Sequence, residues 1–204
     1  MLKDNLSKID SKNAIIVAAS KYVTSKTIRD LYNLGIKDMG ENRSNAFLEK
    51  YEDLKDLDIT WHFIGHLQTN KVKDVINKIE YLHSLDSIKL ANEIEKYSNK
   101  VLNCFIEINS GEENKSGIDY SEALDFYNAL KNYRKIKVVG FMTMAPNTTD
   151  EDVIKGVFMR LKAFRDSIDK SLFLSMGMSN DYKIALECGA THIRLGSILF
   201  EGEY

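Results

Sequence analysis

Ala14-Ile15-Ile16-Val17-Ala18-Ala19-Ser20-Lys21 is followed, after a short polar turn, by Thr27-Ile28-Arg29-Asp30-Leu31-Tyr32-Asn33-Leu34-Gly35. The first run is almost continuously apolar up to Ser20, as in a strand covered on both faces. The second run puts Ile28, Leu31, Tyr32 and Leu34 near one helical face and then meets Gly35, a helix stop. Together they form one strand–helix unit. The same alternation continues along the chain. Strand candidates fall at 14–20, 36–40, 60–65, 81–85, 102–109, 138–144, 172–176 and 192–199. Helical candidates fall between them at 27–34, 43–54, 69–79, 87–97, 121–133, 151–168 and 180–187. Strand then helix, repeated in this way, implies a parallel sheet built from βαβ units. Eight strands in one unit favour a closed barrel over a doubly wound sheet, so the expected fold is α/β, a single (β/α)8 TIM-type barrel. A chain of 204 residues lies near the lower size limit of that fold.

The composition is that of a soluble globular protein, with 44% hydrophobic and 28% charged residues. A net charge of −2 gives no general pull toward nucleic acid or an anionic membrane. The two cysteines, Cys104 and Cys188, cannot build a disulfide framework or a cysteine-based zinc pattern, and a reducing cytoplasm is the expected location. The N-terminus lacks a signal-peptide core, and no apolar run approaches the ~18 residues of a membrane span. One proline, Pro146, and the absence of any linker-like stretch leave one compact unit. P-loop, GxGxxG, HExxH and GxSxG patterns are all missing, which argues against the chemistries they support.

In a barrel of this kind, function gathers at the C-terminal ends of the strands. Lys21 closes the first strand, where partial desolvation would free its amine as a nucleophile. A lysine snorkelling from a strand end is the plainer alternative. Ser175-Met176-Gly177-Met178-Ser179 precedes a helical stretch, and Gly196-Ser197 follows the last strand. The loops after the seventh and eighth strands often hold phosphate, so these segments favour a phosphorylated ligand; a helix cap and a turn are the alternative. Arg194, one of only six arginines, lies inside an apolar strand, where it needs either a structural ion pair or a ligand. His62 and His66 lack a third ligand at zinc spacing and read as core or loop residues. Lys71, Lys73 and Lys115 lie near expected loops and read as solvated surface.

Several of these segments occur together in one known order: Ala18-Ala19-Ser20-Lys21, Gly40-Glu41-Asn42, Trp61-His62-Phe63-Ile64-Gly65 with Leu67-Gln68-Thr69-Asn70-Lys71, Asn114-Lys115-Ser116-Gly117, Leu174-Ser175-Met176-Gly177-Met178-Ser179 and Ile193-Arg194-Leu195-Gly196. With them the chain resembles the pyridoxal phosphate homeostasis proteins over about residues 14–200. The resemblance implies a barrel like the N-terminal domain of alanine racemase, binding pyridoxal 5′-phosphate (PLP) as one domain over residues 1–204. By the same resemblance Lys21 would carry PLP as a covalent aldimine. Ser179, Gly196 and Ser197 would hold its phosphate, and Arg194 would face the pyridine nitrogen. Asn42 would lie near the ring hydroxyl, and His62 and Met176 would line the pocket. Three segments depart from the family pattern: only Met1–Lys12 precedes the first strand, Tyr22-Val23 stands after the lysine where polar residues are usual, and the chain ends Phe200-Glu201-Gly202-Glu203-Tyr204.

The resemblance leaves two functional classes: a carrier that stores, buffers or delivers PLP, and a PLP-dependent enzyme such as an amino-acid racemase. A Schiff-base aldolase on the same barrel is a third. Racemisation needs an acid and a base on opposite faces of the substrate Cα, and 204 residues leave no length for the second domain that supplies one of them in alanine racemase. An arginine facing the pyridine nitrogen disfavours its protonation and weakens the ring as an electron sink. An open barrel excludes little water. The expectation is a cytoplasmic PLP-binding protein with little or no catalytic activity and no metal. Its partners would be PLP and apo-enzymes that receive it, with no nucleic acid or membrane, and it would be a monomer.

Overall fold

A computed structural model describes residues 1–111 and 116–203. Eight parallel strands close into a barrel in chain order, β1 to β8, with β8 returning to pair with β1. They are β1 (Ile15–Ala19), β2 (Asp38–Glu41), β3 (Thr60–Phe63), β4 (Tyr81–Leu85), β5 (Leu102–Glu107), β6 (Ile136–Met142), β7 (Phe173–Met178) and β8 (His192–Leu195). Between and around them run α1 (Leu2–Ser7), α2 (Ser25–Asn33), α3 (Ser44–Asp53), α4 (Val72–Val75), α5 (Ile88–Tyr97), α6 (Tyr120–Leu130), α7 (Glu151–Ile168) and α8 (Tyr182–Glu187). The expected (β/α)8 barrel is the fold observed.

Three of the helices begin at a side-chain cap. Thr24, Ser87 and Asp150 accept backbone N–H groups from the first turns of α2, α5 and α7. The expected helix at 69–79 is shorter: a 3-10 turn at Thr69–Lys71 leads into the four residues of α4. Val72, Val75, Ile76 and Ile79 are still fully buried. All four are β-branched, so burial holds this segment in place without the side-chain freedom that favours a long helix. The last strand is also shorter than expected, because residues 196–200 fold into a turn in which Leu199 and Phe200 both donate N–H to the Gly196 carbonyl.

Strand alternation separates two cores. Ala18, Met39, Phe63, Leu82, Cys104, Ile106, Phe141, Leu174, Met176, Ile193 and Leu195 face outward and pack with the helices in one cluster. Phe47 of α3 anchors it, meeting Trp61 edge-on at 5.4 Å and Phe63 at 6.4 Å between ring centroids. Burying each such ring contributes roughly 1.5–3 kcal/mol. The inward-facing residues include His62, His83, Ser175, His192 and Arg194, all buried. Barrels of this class usually fill that space with branched aliphatic side chains. Here it holds a stack of imidazoles and aromatic rings around a buried guanidinium.

The first helix and the C-terminal segment pack against each other. The buried Asn5 of α1 donates its side-chain amide to the carbonyls of Leu199 and Glu201. The N-terminal turn and the C-terminal segment are thereby tied together beside the end of β8.

Candidate functional site

The mouth of the barrel is organised by one buried ion pair. Lys50 of α3 places Nζ 2.6 Å from Glu41 Oε2 and 2.6 Å from the Ser20 carbonyl. Glu41 Oε1 in turn accepts the backbone N–H of Asn42 at 2.7 Å and that of Arg43 at 3.4 Å. Both side chains are removed from water. The pair welds the end of β1 to the end of β2, so the backbone entering Lys21 and the backbone carrying Asn42 are fixed relative to one another. Gly65 completes this corner. A Cβ there would stand 2.3 Å from the Asn42 carbonyl oxygen, so only glycine lets the loop after β3 lie against Asn42.

Lys21 itself is exposed, with its ammonium over the Tyr22 ring at 4.6 Å from the centroid. The desolvation argued from the apolar run before it does not occur: the burial stops at Ser20, and the chain turns into solvent at Lys21. Among the described residues, the buried Asn42 Oδ1 meets no hydrogen-bond partner. A buried acceptor left without a donor is uncommon in folded proteins, and it fits a ligand that brings one.

On the other side of Lys21, the ends of β7 and β8 meet. Gly177 adopts φ +95° within a register shift of β7, and a Cβ there would come 2.6 Å from the Ala185 Cβ, so glycine is required for this turn. Beyond it, Ser179 Oγ accepts the backbone N–H of Gly196 at 3.1 Å and of Ile198 at 3.4 Å. Ser179, Gly196 and Ser197 are thus gathered in one polar turn beside the end of β1. The six-residue α8 starts only at Tyr182. Its leading residue Asp181 accepts the Met178 N–H at 2.5 Å, and burial raises its carboxyl above the usual range.

Arg194 lies between these corners, inside the barrel and 5% exposed. One Nη donates to Ser175 Oγ at 2.6 Å and the other to the Thr143 carbonyl at 3.1 Å. Burial lowers its pKa to about 10, with Asp181 and Glu107 opposing the shift, so the guanidinium stays charged near neutral pH. Glu107 accepts the Ser116 hydroxyl at 2.6 Å, and burial raises its pKa.

Two expected pocket residues lie elsewhere. Met176 is fully buried in the outer core among the helices, because Ser175 holds the inward-facing place on β7. His62 is inside the barrel but bonded away from the mouth, with Nε2 2.9 Å from Asp38 Oδ1 at the start of β2. Lys115, with Asn114, lies outside the described residues. A cleft of about 550 Å³ opens beside Asn42, lined by Arg43, Ser44, His66, Gln68 and Lys71. A second, of about 230 Å³, lies beside Asp181 and Met144. The clefts flank the Lys21–Arg194 region, and neither is lined by Lys21 or Arg194.

Three buried or half-buried polar residues bonded around this site are not singled out by the sequence reading, Asp38, Lys50 and His83, and Thr143 enters it only within a strand end. Ser175 was noted only as part of a polar strand end. The available signal was parity. His83 and Asp38 are polar residues in short strands, spaced to share the inward face with neighbours in β3 and β7.

A family model described as alanine racemase, N-terminal domain, matches residues 31–203. The chain is similar to the pyridoxal phosphate homeostasis protein of Aquifex aeolicus (strain VF5), with 42% identity over 196 residues covering 92% of this chain and 86% of the relative. It is similar to the protein of the same name from Schizosaccharomyces pombe, with 33% identity covering 94% of this chain and 85% of the relative. Among solved structures it is similar to PipY of Synechococcus elongatus PCC7942 with PLP bound, with a TM-score of 0.89 and 27% identity, covering 98% of this chain and 100% of that one. An alanine racemase of Clostridium difficile 630 shares the fold, with a TM-score of 0.81 at 13% identity, covering 98% of this chain and 56% of the other.

Proposed function

The chain belongs to the pyridoxal phosphate homeostasis proteins, and from that premise we propose that it binds PLP at the mouth of the barrel and serves its storage, buffering or delivery with little or no turnover. PLP brings an aldehyde that condenses reversibly with amines and a ring that withdraws electrons when its nitrogen is protonated. The residues present fit such a group. Lys21 offers the exposed amine, and Asn42 Oδ1 offers a buried acceptor for the ring hydroxyl. Ser179 offers its hydroxyl hydrogen and Ser197 a hydroxyl and a backbone N–H for the phosphate, with Gly196 held to Ser179 beside them. The observation that carries the non-catalytic reading is Arg194. Its guanidinium is buried, held by two acceptors, and charged near neutral pH. Facing the pyridine nitrogen, it supplies no acceptor for a proton there and repels a second positive charge. The ring is then a weak electron sink, and the site holds its cargo more readily than it converts an amino acid.

The recipients are apo-enzymes or free amines, and the working unit is one chain in the cytoplasm. Among the described residues, no helix is long and apolar enough to cross a membrane. The test is spectroscopic. Purified protein mixed with PLP should develop a visible band, borohydride should trap the group on Lys21, and Lys21→Ala should abolish both. A wild-type protein that takes up no PLP overturns the proposal. Sustained exchange of an amino-acid α-hydrogen for solvent deuterium replaces it with a racemase-like one.

A further inference from the structure

Arg194 is the visible end of a longer construction. Ser175 Oγ, which accepts from Arg194 Nη1, lies 2.8 Å from His83 Nδ1. His83 Nε2 lies 2.9 Å from His62 Nδ1, and His62 Nε2 lies 2.9 Å from Asp38 Oδ1. Five side chains from β8, β7, β4, β3 and β2 therefore form an unbroken hydrogen-bonded line through the barrel. The three middle members have no exposed surface, while the Asp38 side chain is 28% exposed at the opposite end.

The proton positions along this line follow from what each group can do. A guanidinium only donates, so Ser175 Oγ accepts from Arg194. The Ser175 hydroxyl hydrogen then needs an acceptor in a fully buried place, and His83 Nδ1 is the acceptor within reach. With Nδ1 accepting, His83 carries its proton on Nε2 and donates to His62 Nδ1. His62 then carries its proton on Nε2 and donates to the Asp38 carboxylate. Every donor meets an acceptor, and every bond points the same way. Burial above all, with the Arg194 guanidinium nearby, holds His83 well below the usual histidine pKa, in keeping with a neutral ring. The other arrangement makes His62 an imidazolium against Asp38 and reverses His83, which leaves the Ser175 hydrogen buried without a partner. His192 approaches both rings, with centroids 6.4 Å from His62 and 6.2 Å from His83, but bonds its Nδ1 to Thr191 rather than to the line. Tyr81 stacks on His62 at 4.6 Å and Phe105 on His83 at 4.4 Å, fixing both ring planes.

We propose that Asp38, His62, His83 and Ser175 are positioning residues for Arg194, forming a one-directional hydrogen-bond chain that ties the guanidinium facing the ligand to a carboxylate at the far end of the barrel. The line fixes the plane of the guanidinium and turns toward it the negative end of its own aligned hydrogen-bond dipoles. Only the identity of the group over Arg194, the PLP ring, rests on the function proposed above.

The test has two separable parts. In ligand-free protein labelled with ¹⁵N-histidine, two-bond ¹H–¹⁵N correlations should show His62 and His83 as neutral Nε2–H tautomers near pH 7. His62 doubly protonated, or His83 carrying Nδ1–H, overturns the chain. In the second part, Ser175→Ala and Asp38→Leu should each weaken PLP binding by about tenfold, the effect of one lost buried hydrogen bond, and shift the visible band. Asp38→Asn, which keeps an acceptor for His62, should restore binding to within about threefold of wild type. Thermal unfolding identifies a variant that fails to fold, and Ser175→Ala carries the test if Asp38→Leu does. Unchanged PLP affinity and band in a folded Ser175→Ala overturn the positioning role. If the tautomers are as stated but wild type takes up no PLP, the chain stands and the PLP assignment falls.

Discussion

Replacing Lys50 with methionine removes one half of the ion pair that joins β1, β2 and α3 while keeping nearly the same volume. The structure sets the size of the effect. Glu41 is completely buried, and in the variant its carboxylate keeps only the Asn42 N–H at 2.7 Å and the longer Arg43 N–H at 3.4 Å. The Ser20 carbonyl also loses the ammonium at 2.6 Å. Removing one partner of a buried pair costs about 3–5 kcal/mol. The two surviving backbone donors place Lys50→Met at the lower end, about 3 kcal/mol. With a urea m-value of about 3 kcal/mol/M, the unfolding midpoint should fall by about 1 M. The double variant Glu41→Gln with Lys50→Met removes the stranded charge and should recover about half of the loss, because an uncharged amide is less costly to bury than an unpaired carboxylate. A midpoint shift under about 0.3 M for Lys50→Met, or no recovery in the double variant, would refute the claim that this pair welds the mouth.

Two further outcomes follow from the geometry. Gly65→Ala drives a Cβ to 2.3 Å from the Asn42 carbonyl, so the loop after β3 must move; stability should drop by about 1–3 kcal/mol, and PLP affinity should fall with it, read by denaturation and by titration. His192 is buried with its pKa lowered to about 4, against 6.5 for the free side chain. Between those values the unfolded chain binds the proton and the folded one does not, so this group withdraws stability as pH falls from about 6.5 to about 4, by up to about 3 kcal/mol. His192→Leu should flatten that part of the stability–pH curve, and an unchanged slope would count against a neutral buried His192.

Much of the architecture is legible in the chain because it is local. The apolar run ending at Lys21, the amphipathic segment ending at Gly35 and their later counterparts each state their own element, and their alternation in one chain leads to a closed parallel barrel. The placement of Lys21, Ser179, Gly196 and Asn42 just past the ends of their strands is legible for the same reason. What escaped were the residues that act across the barrel. Strands of a closed barrel are covered on both faces, so their hydrophobicity runs almost unbroken and does not say which parity points inward. The resemblance puts Met176 at the pocket, and nothing in so unbroken a run opposes it, yet Ser175 holds the inward place. That ambiguity also concealed the role of His62, since nothing near residue 62 in sequence names Asp38 or His83 as its partners. Nothing beside Lys50 in sequence marks it out; only the approach of α3 to Glu41 and the Ser20 carbonyl makes it an interior ion. The sequence alone determined which segments become strands and helices, because that choice depends on residues within a few positions of one another. Tertiary structure alone decided which buried polar groups meet, because hydrogen bonds reach about 3 Å in space irrespective of separation along the chain.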